Sequence, residues 1–194
     1  MAAEFKPKLT FDEWLEIESK AEFKSEFANG RIYAMAGASP EHNQIVANVI
    51  VEFGVQLRKR PCIVYPSDLP LRVEKREHGR YPDVTVVCGE PQFYKGKNLS
   101  ALLNPTVLVE VLSSTTEDFD RDIKMEEYRA IPSLREFLLI AQDRCHVEHY
   151  VRQTGHQWLL TDFNSLKNTV VLPSIKCRLQ LSAVYDKVKW PEEK

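Results

Sequence analysis

TVLVEVLSS, residues 106–114, decides how the rest of the chain is read. Thr106 to Leu112 read as one buried β-strand, except that its fifth residue is Glu110. An ionised carboxylate left without a partner in an apolar interior is strongly unfavourable. A cation, a metal ion or a wet cleft must therefore stand beside Glu110. Upstream, Tyr81-Pro82-Asp83 leads into a second apolar run, Val84-Thr85-Val86-Val87-Cys88. If the two runs are neighbouring strands, Asp83 and Glu110 approach each other. Like charges that close force a proton onto one of them unless a cation intervenes. Mg²⁺ is a hard ion of the kind held by one or two carboxylates, a carbonyl and waters.

Around this pair the chain alternates helix and strand signals. Thr10-Phe11-Asp12-Glu13 is a capping box, with Leu9 and Trp14 at the staple positions, and predicts a helix to about Ala21. Asn29-Gly30 inside Phe27–Tyr33 is a hairpin turn. Ser39-Pro40 opens a second helix whose Ile45, Val46, Val49, Ile50, Phe53 and Leu57 follow helical spacing, and Pro61 ends it. Strands are expected at 63–65, 69–73, 83–88 and 106–112, with a short helical turn at 99–103. A third helix is expected from about Thr116 to Ala130. Further strands follow at 136–141, 146–152, 157–163 and 169–172, then a short closing helix at 182–187. This order predicts an α/β or α+β fold, with a mixed central sheet flanked by helices and additional C-terminal strands.

With 194 residues the chain is long enough for one domain with a substantial core, and it reads as a single domain over 1–194. Its net charge of −2 excludes a global basic field as the means of finding nucleic acid. Basic residues occur instead in local groups, Arg58-Lys59-Arg60, Lys75-Arg76 and the Lys95-Lys97 pair, each of which reads by itself as solvated surface; were the partner a nucleic acid, Arg58, Lys59, Arg60, Lys75, Arg76 and Arg80 would be the candidate phosphate contacts. The cysteines at 62, 88, 145 and 177 form no C-x-x-C pair and read as reduced core thiols of a cytoplasmic protein. No apolar run reaches membrane-spanning length, and the N-terminus lacks a signal-peptide pattern. Glycine-rich phosphate loops, G-x-S-x-G and H-E-x-x-H are absent. Cys145-His146-Val147-Glu148-His149 has metal-ligand residue types, but on a strand His146 and His149 point to opposite faces.

Pro82-Asp83 followed by Glu110 resembles the PD-(D/E)xK nuclease superfamily, the restriction-endonuclease-like fold. In that pattern a lysine stands two residues after the glutamate; here that position is Leu112. Lys124 is the candidate replacement, because Asp120, Lys124 and Tyr128 stand at i, i+4 and i+8 on one helical stripe. A narrower resemblance, to the Uma2 family (DUF820) of that superfamily, covers nearly the whole chain. It rests on Ser25–Gly30, Ser39–His42, Tyr81–Val84, Leu108–Ser113, Asp120–Tyr128, Phe137–Ile140 and Leu172–Ile175 in that order.

The resemblance implies a metal-dependent nuclease hydrolysing DNA, with RNA as a second candidate substrate. Asp83, Glu110 and Lys124 would be catalytic, and Asp83, Glu110 and Glu26 would hold Mg²⁺ or Mn²⁺. His42, Asp120 and Tyr128 would stand around them. By analogy with double-strand cutters, a homodimer is expected. Each residue also has a plainer reading. Glu110 can be a structural ion pair, Asp83 a turn residue, Glu26 a hairpin glutamate and His42 a helix-cap residue. Lys124 can be an i, i+4 partner of Asp120, and Tyr128 packing. The rival functions are a catalytically silent nucleic-acid- or partner-binding domain, favoured by Leu112, and a structural oligomerisation domain.

Overall fold

The structure is a computed structural model that describes residues 8–112 and 123–190. The decisive stretch forms β9 (Val107–Leu112), in which all six residues are buried. It lies inside a six-stranded mixed sheet. The strand order is β12 (Trp158–Phe163), β11 (Val147–Arg152), β10 (Glu136–Ala141), β9, β6 (Val84–Cys88) and β3 (Cys62–Pro66). Burial on both faces explains why β9, β10 and β6 read as nearly continuous apolar runs rather than alternating ones. The β9–β10 pair is parallel, and the other pairs of this sheet are antiparallel. A parallel pair requires a crossover connection, and this one carries α3 (Met125–Arg129).

The two faces of β9 look onto different cores. Val107, Val109 and Val111 pack with Ile45, Val49, Phe53 and Leu57 of α2 (Pro40–Leu57). Ser39 caps that helix, accepting from the His42 N–H at 3.0 Å. The same core is closed by the hairpin of β13 (Thr169–Leu172) and β14 (Cys177–Gln180) and by α4 (Leu181–Val184). Leu108 and Leu112 face the other way, with Val87, Phe137, Met125 and Tyr128. Glu110, between them in sequence, therefore faces α3.

A second six-stranded sheet lies on the α3 side, in the order β2 (Arg31–Ala34), β1 (Ser25–Ala28), β5 (His78–Arg80), β4 (Leu71–Val73), β8 (Ser100–Leu102) and β7 (Phe93–Lys95). Leu71, Val73 and Leu102 join it to the α3-side core of the first sheet. The β1–β2 hairpin turns at Asn29 and Gly30, with φ of 53° and 79°, the left-handed pair an Asn-Gly turn supplies. Outside this sheet α1 (Phe11–Glu18) seats Trp14 against β5. A Cβ on Gly79 would stand 2.2 Å from the Trp14 ring, so glycine is required there by close approach.

Several expectations change. Residues 99–103 are not a helical turn, because β8 pairs with β7 and β4 and buries Ala101 and Leu102. A short apolar run fits either element until its partners are known. The third helix is seen from Ile123 onward, and its expected beginning lies outside the described residues. The thiol reading holds for Cys145 and Cys177 but not for Cys62 and Cys88, which form a disulfide. They stand opposite each other on antiparallel β3 and β6, a juxtaposition made by strand register rather than sequence spacing. Among the described residues, no helix is long and apolar enough to cross a membrane.

Candidate active site

Register sets the two acids opposite each other. Val84 pairs with Val109, which places Asp83 beside Glu110 one step further along the antiparallel ladder. Asp83 Oδ2 accepts from the Val111 N–H at 2.7 Å, tying the start of β6 to the Glu110 strand. The same oxygen lies 3.2 Å from His42 Nε2, in the first turn of α2. The other ring nitrogen of His42 is buried without a hydrogen-bond partner.

Glu110 is only 3 % exposed and is not left alone. The Tyr128 hydroxyl donates to its Oε1 at 2.7 Å, and Lys124 Nζ donates to the same oxygen at 3.3 Å. Lys124 Nζ also lies 3.3 Å from Glu26 Oε1, on β1 of the other sheet. Burial, and then the Glu110 charge, push the Tyr128 hydroxyl well above the ordinary tyrosine range, so it stays protonated and donates.

Glu26 opens a buried network not foreseen from the sequence. Arg80, 1 % exposed, donates from Nη1 to Glu26 Oε2 at 2.8 Å. It also grips Glu127 through two bonds, Nε to Oε2 at 2.8 Å and Nη2 to Oε1 at 2.7 Å. His78 Nδ1 lies 2.8 Å from Glu127 Oε1, and its Nε2 lies 3.3 Å from Asn29 Oδ1 at the hairpin turn. Burial pushes the Glu127 carboxyl upward, but the hydrogen bonds from His78 and Arg80 outweigh it and bring it to about 2. Burial likewise opposes the Arg80 charge, and Glu127 and Glu26 more than compensate, raising its pKa.

Two signals for this network were present in the sequence. His78 and Arg80 stand at i and i+2, one face of a strand. Lys124, Glu127 and Tyr128 stand at i, i+3 and i+4, one face of a helix.

Residues 11–183 match the family described as "Uma2: Putative restriction endonuclease". The chain belongs to the Uma2 family. Two Synechocystis sp. (strain ATCC 27184 / PCC 6803 / Kazusa) proteins resemble it. "Uncharacterized protein sll1609" is 40 % identical over 154 residues, 79 % of this chain and 86 % of that one. "Uncharacterized protein slr1290" is 30 % identical over 179 residues, 92 % of each. A crystal structure titled as a putative nuclease belonging to DUF820, from Anabaena variabilis ATCC 29413, superposes with a TM-score of 0.70. The two are 19 % identical, and the match covers 91 % of this chain and 97 % of that one. The restriction-endonuclease-like fold expected from the sequence is therefore the fold of this Uma2 protein.

Other residues singled out from the sequence fall elsewhere. Arg80 is a buried counter-ion, and its guanidinium is committed to Glu26 and Glu127 rather than exposed to a phosphate. Arg58, Lys59 and Arg60 follow the C-terminal end of α2, about 24 Å along the helix from His42. Arg60 donates there to the carbonyls of Ile175 and Lys176. Lys75 and Arg76 lie in a 3₁₀ turn before β5, where Arg76 pairs with Glu126 of α3. Asp120 lies outside the described residues.

His146 and His149 do not converge. His149 Nε2 is 2.6 Å from Glu136 in the interior, and His146 Nε2 is 3.2 Å from Asp162. His146, Glu148 and Asp162 do bring ligand atoms within 4.8 Å of one another, on β11, β12 and the turn before β11.

Proposed function

We propose that this Uma2 protein is a metal-dependent nuclease that hydrolyses phosphodiester bonds of DNA. The observation that supports it most is the register that sets Asp83 opposite Glu110 at one end of the sheet, with the Lys124 ammonium on Glu110. Nucleases of the restriction-endonuclease-like kind generally use divalent metal ions.

The residues present fit such an ion. Among the described residues, Glu26, Glu110 and Glu127 are joined by two cations, Arg80 and Lys124, and strand register sets a fourth carboxylate, Asp83, opposite Glu110. Counting these carboxylates and the two cations alone, the formal sum is −4 + 2 = −2, a charge that a divalent cation complements. The donors are hard oxygens, as Mg²⁺ and Mn²⁺ require. Glu26 Oε1 is buried without a hydrogen bond. Asp83, Glu110 and the Val111 carbonyl would hold Mg²⁺ or Mn²⁺, with Glu26 as a further ligand. Once bound, such an ion supplies Lewis-acid polarisation of the phosphate and of the attacking water.

The remaining work falls to the chain's own groups. The Tyr128 hydroxyl favours the ionised form of Glu110 and fixes its direction. His42 and the Val111 N–H orient Asp83. Lys124 stabilises charge growing on the phosphate oxygens in the transition state. In the reaction a water oxygen bonds to phosphorus and gives up a proton to solvent, the P–O ester bond breaks, and the departing oxygen keeps the electron pair and takes a proton from solvent.

Lys75 and Arg76, in the turn where Arg76 pairs with Glu126 of α3, are proposed to touch the DNA backbone, with binding that weakens as salt rises. Two copies acting together would cut both strands. Leu112 at the usual lysine position favours a second reading, a silent DNA-binding domain. Incubation with single- and double-stranded DNA and Mn²⁺ separates the two. Cleavage by the natural protein that vanishes with EDTA or Asp83→Ala is expected. DNA binding that is indifferent to metal, with no cleavage, would make the domain a silent binder.

A further inference from the structure

We propose that Lys124 is the resident counter-ion of the carboxylate site. A divalent cation enters by displacing its ammonium, which then passes to a substrate phosphate. The inference rests on reading Asp83, Glu110 and Glu26 as the metal-binding acids.

The geometry around Lys124 supports it. Its Nζ stands 3.3 Å from Glu26 Oε1 and 3.3 Å from Glu110 Oε1, between carboxylates from two different sheets. Charge-assisted bonds usually close to about 2.7–2.9 Å. Both separations are longer, so the ammonium is shared between the two acids rather than clamped to either. The acids themselves are held by shorter bonds from other groups. Arg80 holds Glu26 Oε2 at 2.8 Å, and Tyr128 holds Glu110 at 2.7 Å. Arg80 thereby turns Glu26 Oε1, which lacks a hydrogen bond, toward the ammonium. The carboxylates keep their positions if Lys124 leaves, and its four-carbon stem can carry the charge aside.

Charge then links metal to substrate. Among the described residues, moving the ammonium away and adding a divalent ion takes the formal charge from −2 to −4 + 1 + 2 = −1, counting Arg80 as the fixed cation. A phosphodiester offers the displaced ammonium an anion. Metal and phosphodiester binding therefore favour each other, and the coupling must be reciprocal.

Isothermal titration at pH 8 with Mn²⁺ alone, on the natural full-length protein and Lys124→Met, tests this directly. Both are then titrated with Mn²⁺ in the presence of a nuclease-resistant phosphorothioate oligonucleotide. Lys124→Met is expected to bind Mn²⁺ at least tenfold more tightly than the natural protein. The oligonucleotide is expected to tighten Mn²⁺ binding by the natural protein severalfold and to leave the variant unchanged. Equal or weaker Mn²⁺ binding by the variant, with an unchanged melting curve, would overturn the displacement and leave the metal-site reading intact. Absence of Mn²⁺ binding in both proteins would overturn the two together. If Lys124→Met melts early, Lys124→Gln gives the same comparison with a polar side chain in place.

Discussion

Replacing Arg80 by methionine removes the guanidinium that joins Glu26 to Glu127. Among the described residues, three hydrogen bonds of 2.7–2.8 Å vanish, and two buried carboxylates lose their main counter-charge. Breaking a buried pair from one side costs about 3–5 kcal/mol, because the charge left behind is neither solvated nor paired. For a chain of this length about 1 kcal/mol corresponds to roughly 2–4 °C, so melting should fall by about 6–20 °C. Urea denaturation followed by tryptophan fluorescence, with Trp14 packed against β5, reads the same loss as a lower midpoint at unchanged slope. The double variant Arg80→Met/Glu127→Gln removes one of the stranded charges and should regain about 1 kcal/mol or more over the single variant. Loss of less than about 1 kcal/mol by Arg80→Met would refute the reasoning, because it falls below any one-sided break of a buried pair. Further destabilisation by Glu127→Gln in that background would refute it as well.

Other predictions follow from the same contacts. Tyr128→Phe deletes the 2.7 Å donor to buried Glu110 and should cost about 2 kcal/mol in urea denaturation, the usual scale for a hydrogen bond to a charged group. Glu127 titrates at about 2 when folded, below its ordinary 4.5, so its contribution is complete above pH 4.5 and fades as pH falls toward 2. That difference amounts to about 3 kcal/mol, and stability profiles of the natural protein and Glu127→Gln should converge across this window. Under denaturing conditions without reductant, two cysteines, Cys145 and Cys177, should alkylate, and all four after reduction. Because the Cys62–Cys88 bridge closes a separation of 26 residues, its reduction should lower stability by about 3.5 kcal/mol on a chain-entropy estimate.

The central strands were legible because burial on both faces writes itself as an uninterrupted apolar run, as in 84–88 and 107–112. The first two helices were legible from their caps at Thr10 and Ser39. The second sheet was harder to see. Its strands β4, β5, β7 and β8 are three residues long, too short to show a period, and β5 is His-Gly-Arg. No strand was expected there and Arg80 read as a phosphate contact, whereas Trp14 packed over Gly79 and the carboxylates of Glu26 and Glu127 bury the run. The same cause hid the true place of Arg80, since a buried cation is recognisable only from its partners. Glu110 was conspicuous for the opposite reason, as a charge inside a strand with no polar face. The Cys62–Cys88 pairing depended on the β3–β6 register, which neither strand specifies alone.

Crystals grown with Mn²⁺ and measured at the manganese absorption edge locate the ion by its anomalous signal. An anomalous peak bounded by Asp83 and Glu110, with Lys124 Nζ drawn away from both Glu26 and Glu110, is the result predicted. A peak confined to His146, Glu148 and Asp162, or a well-ordered Asp83–Glu110 site with no peak at all, would contradict the account.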